Sequence, residues 1–389
     1  MHVCGVIAEY DPFHRGHERH LRLARESTGA DYIVCVMSGF YTQRGMPALF
    51  PPDVRAEMAL NCGADAVLQL PAAFSLREGD WFARGGVEIL HRLGCVDTLC
   101  FGSETEDLSL MERAACLLEG RDAMLEEDIR AGLQNGLSYA AAQGQALCRA
   151  LGPRAEELKR PNASLGLSYL RALKALGSSI RPVAVLRNGD YHSGEMAEYP
   201  SATAVRAAVC RGDWANVEKA LPKAALPLMM QAVEDRRICP PEKMDTVLRY
   251  ALAMLGEDGL RALPGVDEGL EKRILSAARE GKGREEILSL AKTRRYTRGR
   301  ISRALCWAVL GGGKDALPKS VQAVQVLGFR QEARPLMRAM QQGGLPLVMK
   351  PAREEAMAFD MHCAEIWHML AGRDMGEPYR RGPVMPVKR

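Results

Sequence analysis

No hydrophobic run in these 389 residues approaches the ~20 that a membrane-spanning helix needs, and the N-terminus passes straight into strand-like sequence with no secretory leader. Neither insertion nor export is indicated, so the expectation is a cytoplasmic protein with no membrane partner. Charge of one sign is also scarce. A formal net charge of +4 excludes a generally basic surface and leaves any nucleic-acid contact to a local patch. The 11 cysteines include no C-x-x-C pair and no zinc-like spacing, which argues against a disulfide framework or zinc module and fits reduced thiols. No fixed-period repeat is present, so a solenoid is excluded, and no low-complexity linker marks a domain boundary. The length still leaves room for two domains, each with its own core. No signal for an oligomeric state is present.

What is present is an alternation of strand and helix patterns. Val3 to Ala8 have strand character and lead into a turn at Asp11-Pro12. After Gly16, helical spacing runs from His17 to about Ser27, with Gly29 as its stop. Tyr32 to Val36 form a second strand. A long loop, Ser38 to Pro52, then carries Gln43, Arg44 and Gly45, and a helix follows from about Asp53 to Asn61. Ala66 to Leu70, a helix near Phe82 to Leu93, and Thr98 to Phe101 continue the pattern. This alternation predicts an α/β fold, a Rossmann-like parallel sheet with helices on both faces. From about 108 to 176 only helical runs occur, a helical insertion, before Val183 to Leu186 supply a fifth strand. Beyond Gly212 helices are joined by short Gly/Pro turns with no convincing strand. The predicted division is a nucleotide-binding domain over 1–212 and a mainly α domain over 213–389.

His14-Arg15-Gly16-His17 follows a predicted strand and opens a predicted helix. Free N–H groups and the positive end of the helix dipole suit a phosphate there. Imidazoles can offset charge developing on an α-phosphate as pyrophosphate leaves, and Gly16 lets a nucleotide lie against the backbone. The bland alternative is a capped turn with incidental histidines. His14, His17 and His20 recur every three residues, yet no His-x-x-x-His pair with an adjacent acid shares a helical face, so no metal ligands are assigned. Ser201-Ala202-Thr203-x-x-Arg206 puts hydroxyls at a helix start and a guanidinium a turn later, able to grip pyrophosphate or merely to cap. Gly311-Gly312-Gly313-Lys314 reads as a helix-ending turn and not a P-loop, because Asp315 stands where Ser or Thr is needed. Lys292, Arg294, Arg295, Arg298, Arg300 and Arg303, near Tyr296 and Trp307, fit RNA contacts or, alternatively, a solvated face.

Several segments together resemble the bacterial tRNA(Met) cytidine acetate ligase family in order and spacing. They are Gly5 to His20, Met37-Ser38-Gly39 with Gln43-Arg44-Gly45, Gly63-Ala64-Asp65, Phe101-Gly102-Ser103-Glu104 and Arg160-Pro161-Asn162. Arg187-Asn188-Gly189-Asp190-Tyr191-His192, the Ser201 to Arg206 motif, Tyr296-Thr297-Arg298 and Val326-Leu327-Gly328-Phe329 extend the likeness over almost the whole chain. The resemblance implies a class I nucleotidyltransferase-type domain that converts acetate and ATP to acetyl-adenylate and pyrophosphate. The acetyl group would then pass to the exocyclic amine of the wobble cytidine in elongator tRNA(Met), giving N(4)-acetylcytidine. It implies that Ile7, Ala8, Glu9, Tyr10, Phe13, His14, Gly16, His17 and His20 hold ATP, with Gly102, Asn162, Arg187, Asn188, Ser201 and Thr203 completing the pocket, and with Asp190 and His192 near it. His14, His17 and Arg206 would be catalytic, Mg2+ would accompany the phosphates, and Arg294, Arg295, Arg298, Arg300 and Arg303 would contact tRNA.

Relatives of this kind usually show Asn-Pro-Phe-His-Asn-Gly-His. Here Asp11 and Arg15 take the two Asn positions, and Arg15 is expected to offset the charge of Asp11. Phe40 and Pro51-Pro52 also depart from the usual loop, where Asn and an Asp-Lys pair would stand. From the residues alone two other functions stay open: nucleotidyl transfer to a small phosphorylated metabolite, and an RNA-binding module with impaired chemistry.

Overall fold

The computed structural model describes residues 1–187, 201–351 and 354–386. Strand β1 (Val3–Ala8) is followed by helix α1 (Arg15–Thr28), which buries Leu21 and Ala24 and ends at Gly29 in the left-handed conformation. Next come β2 (Tyr32–Ser38), a short hairpin of β3 (Tyr41–Thr42) and β4 (Met46–Pro47), α2 (Pro52–Asn61), β5 (Ala66–Leu70), α3 (Ala72–Ser75), α4 (Gly79–Arg92) and β6 (Thr98–Ser103). The helical insertion consists of α5 (Leu108–Glu119), α6 (Ala123–Gln134), α7 (Tyr139–Leu151) and α8 (Pro161–Ala175), and β7 (Arg181–Leu186) returns the chain to the sheet. The remaining helices are α9 (Ala202–Arg211), α10 (Trp214–Ala220), α11 (Leu226–Glu234), α12 (Asp245–Arg261), α13 (Leu270–Glu280), α14 (Arg284–Ala291), α15 (Arg298–Leu310), α16 (Arg334–Gln341) and α17 (Ala358–Leu370). Two strands, β8 (Val324–Phe329) and β9 (Leu347–Val348), flank α16.

The main sheet runs β7-β6-β1-β2-β5-β8-β9. β1 lies in parallel between β2 and β6, so the chain order reverses beside β1. Open α/β sheets bind ligands at such a switch point, outside the carboxyl ends of the strands. The expected α/β, Rossmann-like sheet with its helical insertion is therefore present, and the C-terminal region is largely helical.

The expectation of no strand beyond Gly212 is corrected. β8 pairs antiparallel with β5, Ala66 opposite Phe329 and Leu68 opposite Val326, and β9 extends it in parallel. A six-residue apolar run carries too little period to declare itself a strand, and its partner lies far back in the chain.

Helices α12 to α15 and α17 share an apolar core around Leu248, Ile274, Leu305, Trp307 and Trp367. Two buried indoles fasten this core to the first half of the chain: Trp307 Nε1 donates to Leu76 O at 2.9 Å and Trp367 Nε1 to Ala48 O at 2.8 Å. Gly311 closes α15, as its triple-glycine sequence predicts. Among the described residues, no helix is long and apolar enough to cross a membrane.

Candidate active site

The corner after β1 is built by local rules. His14 is the N-cap of α1, and its Nδ1 accepts from Gly16 N at 3.0 Å. His17 answers by accepting the His14 N–H at its own Nδ1, 3.3 Å away, a capping box made of two imidazoles. A Cβ at residue 16 would come within 2.8 Å of His14 Cε1, so the cap depends on glycine there. Burial, with Arg187 and Arg206 nearby, pushes His14 down to about 3. Burial and then His14 hold His17 well below the usual imidazole range, and burial, Arg187 and Arg19 bring His20 down to about 4. A neutral ring that accepts at Nδ1 carries its proton on Nε2. His14 and His17 are thus neutral N–H donors. Their rings stack with centroids 3.8 Å apart, backed by Tyr10 and Phe13 at 4.9 and 5.6 Å from His17.

Facing this corner across a cavity of about 220 Å³ are Gly102 at the end of β6, Asn162 at the start of α8 and Arg187 after β7. Glu104 orders them. Its carboxylate accepts from Asn162 Nδ2 at 2.7 Å and Ala163 N at 2.8 Å, capping α8, while Asn162 Oδ1 accepts from Arg187 Nη1 at 3.2 Å. A third wall comes from α9, with Ser201 as its N-cap. Thr203 Oγ1 accepts from Arg206 Nη2 at 3.0 Å and from Arg44 Nη1 at 3.3 Å, joining α9 to the β3–β4 hairpin. The lining holds four arginines, Arg19, Arg44, Arg187 and Arg206, against two carboxylates, Glu9 and Asp11, an excess of positive charge suited to a polyphosphate.

The residues singled out from sequence mostly converge. Ile7, Ala8, Glu9, Tyr10, His14, Gly16, His17, His20, Gly102, Asn162, Arg187, Ser201 and Arg206 line the cavity. Phe13 stands behind it against Tyr10 and His17, and Thr203 contributes through Arg206 and Arg44. Asn188, Asp190 and His192 lie outside the described residues. Gln43 and Arg44 also line the cavity, and their long loop after a strand end was the sequence signal for them. Phe101, which opens the Phe101 to Glu104 motif, adds an apolar wall together with Phe82 and Tyr169, which nothing but their hydrophobicity could announce.

The expectation that Arg15 offsets the charge of Asp11 is corrected. Arg15 Nε donates to Leu221 O at 3.2 Å, whereas the buried Asp11 carboxylate accepts from Leu49 N at 2.7 Å and pairs with Arg206 at 3.3 Å. Arg15 is the first residue of α1, and its side chain reaches the backbone just past the end of α10 instead of the cavity. Of the other departures, Phe40 packs on Trp367 and His368, and Pro52 is the first residue of α2, a position where its missing N–H costs nothing.

The arginine-rich segment is placed on α15 and the turn before it. Arg298 pairs with Glu285, Arg300 with Asp267 and Glu268, and Arg295 with Glu268 at 3.0 Å. Arg303 is half-buried and donates to Gln43 O at 3.4 Å. Arg294 is exposed and forms no ion pair among the described residues. The Leu263 to Val266 turn is capped by Arg300, whose Nε donates to Gly265 O at 2.9 Å.

A switch-point cleft opened by two neutral histidines at a helix N-terminus is the arrangement of nucleotidyl transfer, and the sequence model of the HIGH Nucleotidyl Transferase family matches residues 1–377. The chain belongs to that family. Two relatives narrow the assignment. The tRNA(Met) cytidine acetate ligase of Syntrophotalea carbinolica is 37% identical over 363 residues, spanning 91% of this chain and 86% of that protein. That of Clostridium perfringens (strain ATCC 13124) is 30% identical over 392 residues, spanning 95% and 96%. Within its class, then, the chain is a member of the tRNA(Met) cytidine acetate ligase family. The crystal structure of Thermotoga maritima TmcAL bound with alpha-thio ATP superposes with a TM-score of 0.92 at 28% identity, covering 99% of both chains.

Proposed function

We propose that this protein activates acetate with ATP, releasing pyrophosphate, and transfers the acetyl group from acetyl-adenylate to the exocyclic amine of the wobble cytidine of elongator tRNA(Met). The observation that carries the chemistry is the pair of imidazoles whose Nδ1 atoms are occupied by backbone N–H groups. Each turns an Nε2–H donor to a site where negative charge grows on the α-phosphate as acetate attacks. Arg206, Ser201 and the N-terminus of α9 receive the departing pyrophosphate, with Arg44 beside them. Gly102, Asn162 and Arg187 hold the nucleoside side. Mg2+ would ride on the phosphates, because Asp11 is committed to Leu49 and Arg206, and Glu9 already accepts from Gln43 N at 2.6 Å and from Ser38 Oγ at 3.3 Å. When bound it neutralises phosphate charge.

In this reading residues 1–212 form the activating domain with its insertion, and 213–389 the RNA-binding domain, which also lends β8 to the sheet. Arg294, Arg295, Arg298, Arg300 and Arg303 meet the tRNA backbone, and the protein works in the cytoplasm. The wobble base sits in a single-stranded loop and can be splayed out without breaking a helix. Incubation with ATP, labelled acetate and tRNA(Met) is expected to give labelled N(4)-acetylcytidine and one pyrophosphate per acetyl group. ATP turnover indifferent to both acetate and tRNA would overturn the proposal.

A further inference from the structure

We propose that Glu9 is the proton acceptor of the transfer step, taking the proton that the cytidine amine must shed as it attacks acetyl-adenylate. The inference rests on the ligase reading above. An exocyclic amine conjugated to a pyrimidine ring is a poor nucleophile, so its attack needs a base within reach.

The cleft has few. His14 and His17 accept backbone N–H groups at Nδ1 and carry protons at Nε2, so both are donors. Asp11 is occupied by Leu49 N and Arg206. His20 turns Nε2 toward Cys100 Sγ, 3.9 Å away, and its depressed basicity makes it a weak acceptor at neutral pH. Glu9 remains, a carboxylate lining the cavity just past the carboxyl end of β1: both hydrogen bonds onto its side chain, from Gln43 N and Ser38 Oγ, fall on Oε1, whereas Asp11 is engaged at both of its oxygens.

Its position favours the RNA side. Gln43 N donates to Glu9 Oε1, and Gln43 O accepts from Arg303 of α15. The next two hairpin residues are clamped to the same helix and its neighbour: the Arg44 and Gly45 carbonyls accept from Ser302 Oγ of α15, and Gly45 O also accepts from Arg284 of α14 at 3.1 Å. Gly45 has a φ of 71° and its α-carbon faces the backbone of Ser302 and Arg303, so no side chain fits between hairpin and helix. Glu9 therefore stands where the nucleotide cleft meets the helix proposed to contact tRNA.

In the step, the amine lone pair forms the N–C bond to the acetyl carbonyl carbon, the single bond from that carbon to the bridging phosphate oxygen breaks, and AMP leaves with that electron pair. The amine proton passes to the Glu9 carboxylate and then to water. Burial raises the Glu9 pKa, which brings its basicity nearer the working pH. The groups acting on it are Arg44 on the hairpin, Arg206 on α9, Arg55 on α2, Tyr169 on α8, and Asp11.

The test uses the full chain carrying Glu9→Gln, which keeps an oxygen for Gln43 and Ser38, with Glu9→Asp as a second variant. Acetate-dependent ATP–pyrophosphate exchange is compared with single-turnover transfer to tRNA(Met). Transfer in Glu9→Gln is expected to fall by about 10² to 10⁴, at least tenfold further than exchange, which also registers any part Glu9 has in holding ATP. The acid limb of the wild-type transfer rate should vanish in Glu9→Gln and shift in Glu9→Asp. Transfer at the wild-type rate, or exchange and transfer falling together, would overturn the assignment. Wild-type protein that makes neither acetyl-adenylate nor acetylcytidine would instead overturn the ligase reading.

Discussion

Asp11 and Arg206, separated by 195 positions in the chain, form a buried ion pair at 3.3 Å in the floor of the nucleotide cleft. The pair links the corner after β1 to the helix proposed to receive pyrophosphate. Asp11→Ala would leave Arg206 buried without its counter-charge and is expected to cost about 3 to 5 kcal/mol in urea denaturation. Asp11→Asn retains an oxygen for Leu49 N and should cost only about 1 to 2 kcal/mol. With one negative charge gone, it should also bind ATP more tightly by calorimetry. Weaker binding in Asp11→Asn would mean that the ion pair, and not Arg206 alone, shapes the phosphate grip.

His17→Ala removes a donor proposed to meet the α-phosphate. Acetate-dependent pyrophosphate release should fall at least ~100-fold, with tRNA binding unchanged in a filter assay. Equal loss of both would point to a disturbed fold.

The His14 ring makes stability depend on pH. Its folded-state value of about 3 lies below the ordinary 6.5, so the unfolded chain takes up the proton first. The stabilisation is complete above about 6.5 and is lost as pH falls toward 3. His14→Gln should show a shallower decline in urea midpoint between pH 7.5 and about pH 5. Parallel declines would contradict the assignment.

Asp360 has the opposite sign. Burial raises its carboxyl to about 6, against 3.8 when exposed, despite hydrogen bonds from Ala72 N at 2.8 Å and Gln69 Nε2 at 3.1 Å. Its favourable contribution is present below about 3.8 and is lost as pH rises through 6. Asp360→Asn should therefore stabilise the protein at pH 8 by an amount on the order of 1 to 3 kcal/mol. It should have little effect at low pH.

Of the arginines proposed to contact tRNA, Arg294 and Arg300 differ in their prior commitments. Arg294→Ala is expected to weaken tRNA binding and lower the slope of log affinity against log salt by about 1. Arg300 already pairs with Asp267 and Glu268 and anchors the turn at Gly265, so Arg300→Ala should reduce stability and alter the salt slope less. Identical salt slopes in both variants would contradict this division.

Legibility followed range along the chain. Strand and helix alternation and the glycine stops are contacts within a few residues, and their periodicity could be read directly; that His14 itself caps α1 was not read from it. The charge balance of the cleft could not. Arg15 sits beside Asp11 in sequence yet reaches Leu221, while Arg206 comes from far away to neutralise it.

The sequence by itself determined the α/β order of elements, the insertion and the imidazole corner, because hydrophobic period, capping and backbone preference act locally. Only the tertiary structure decided that β8 and β9 extend the sheet, that Glu104 orders Asn162 and Arg187, and that most arginines around α15 already hold carboxylates. Those outcomes depend on packing that brings distant segments together, and burial then sets which charges are free to meet a ligand.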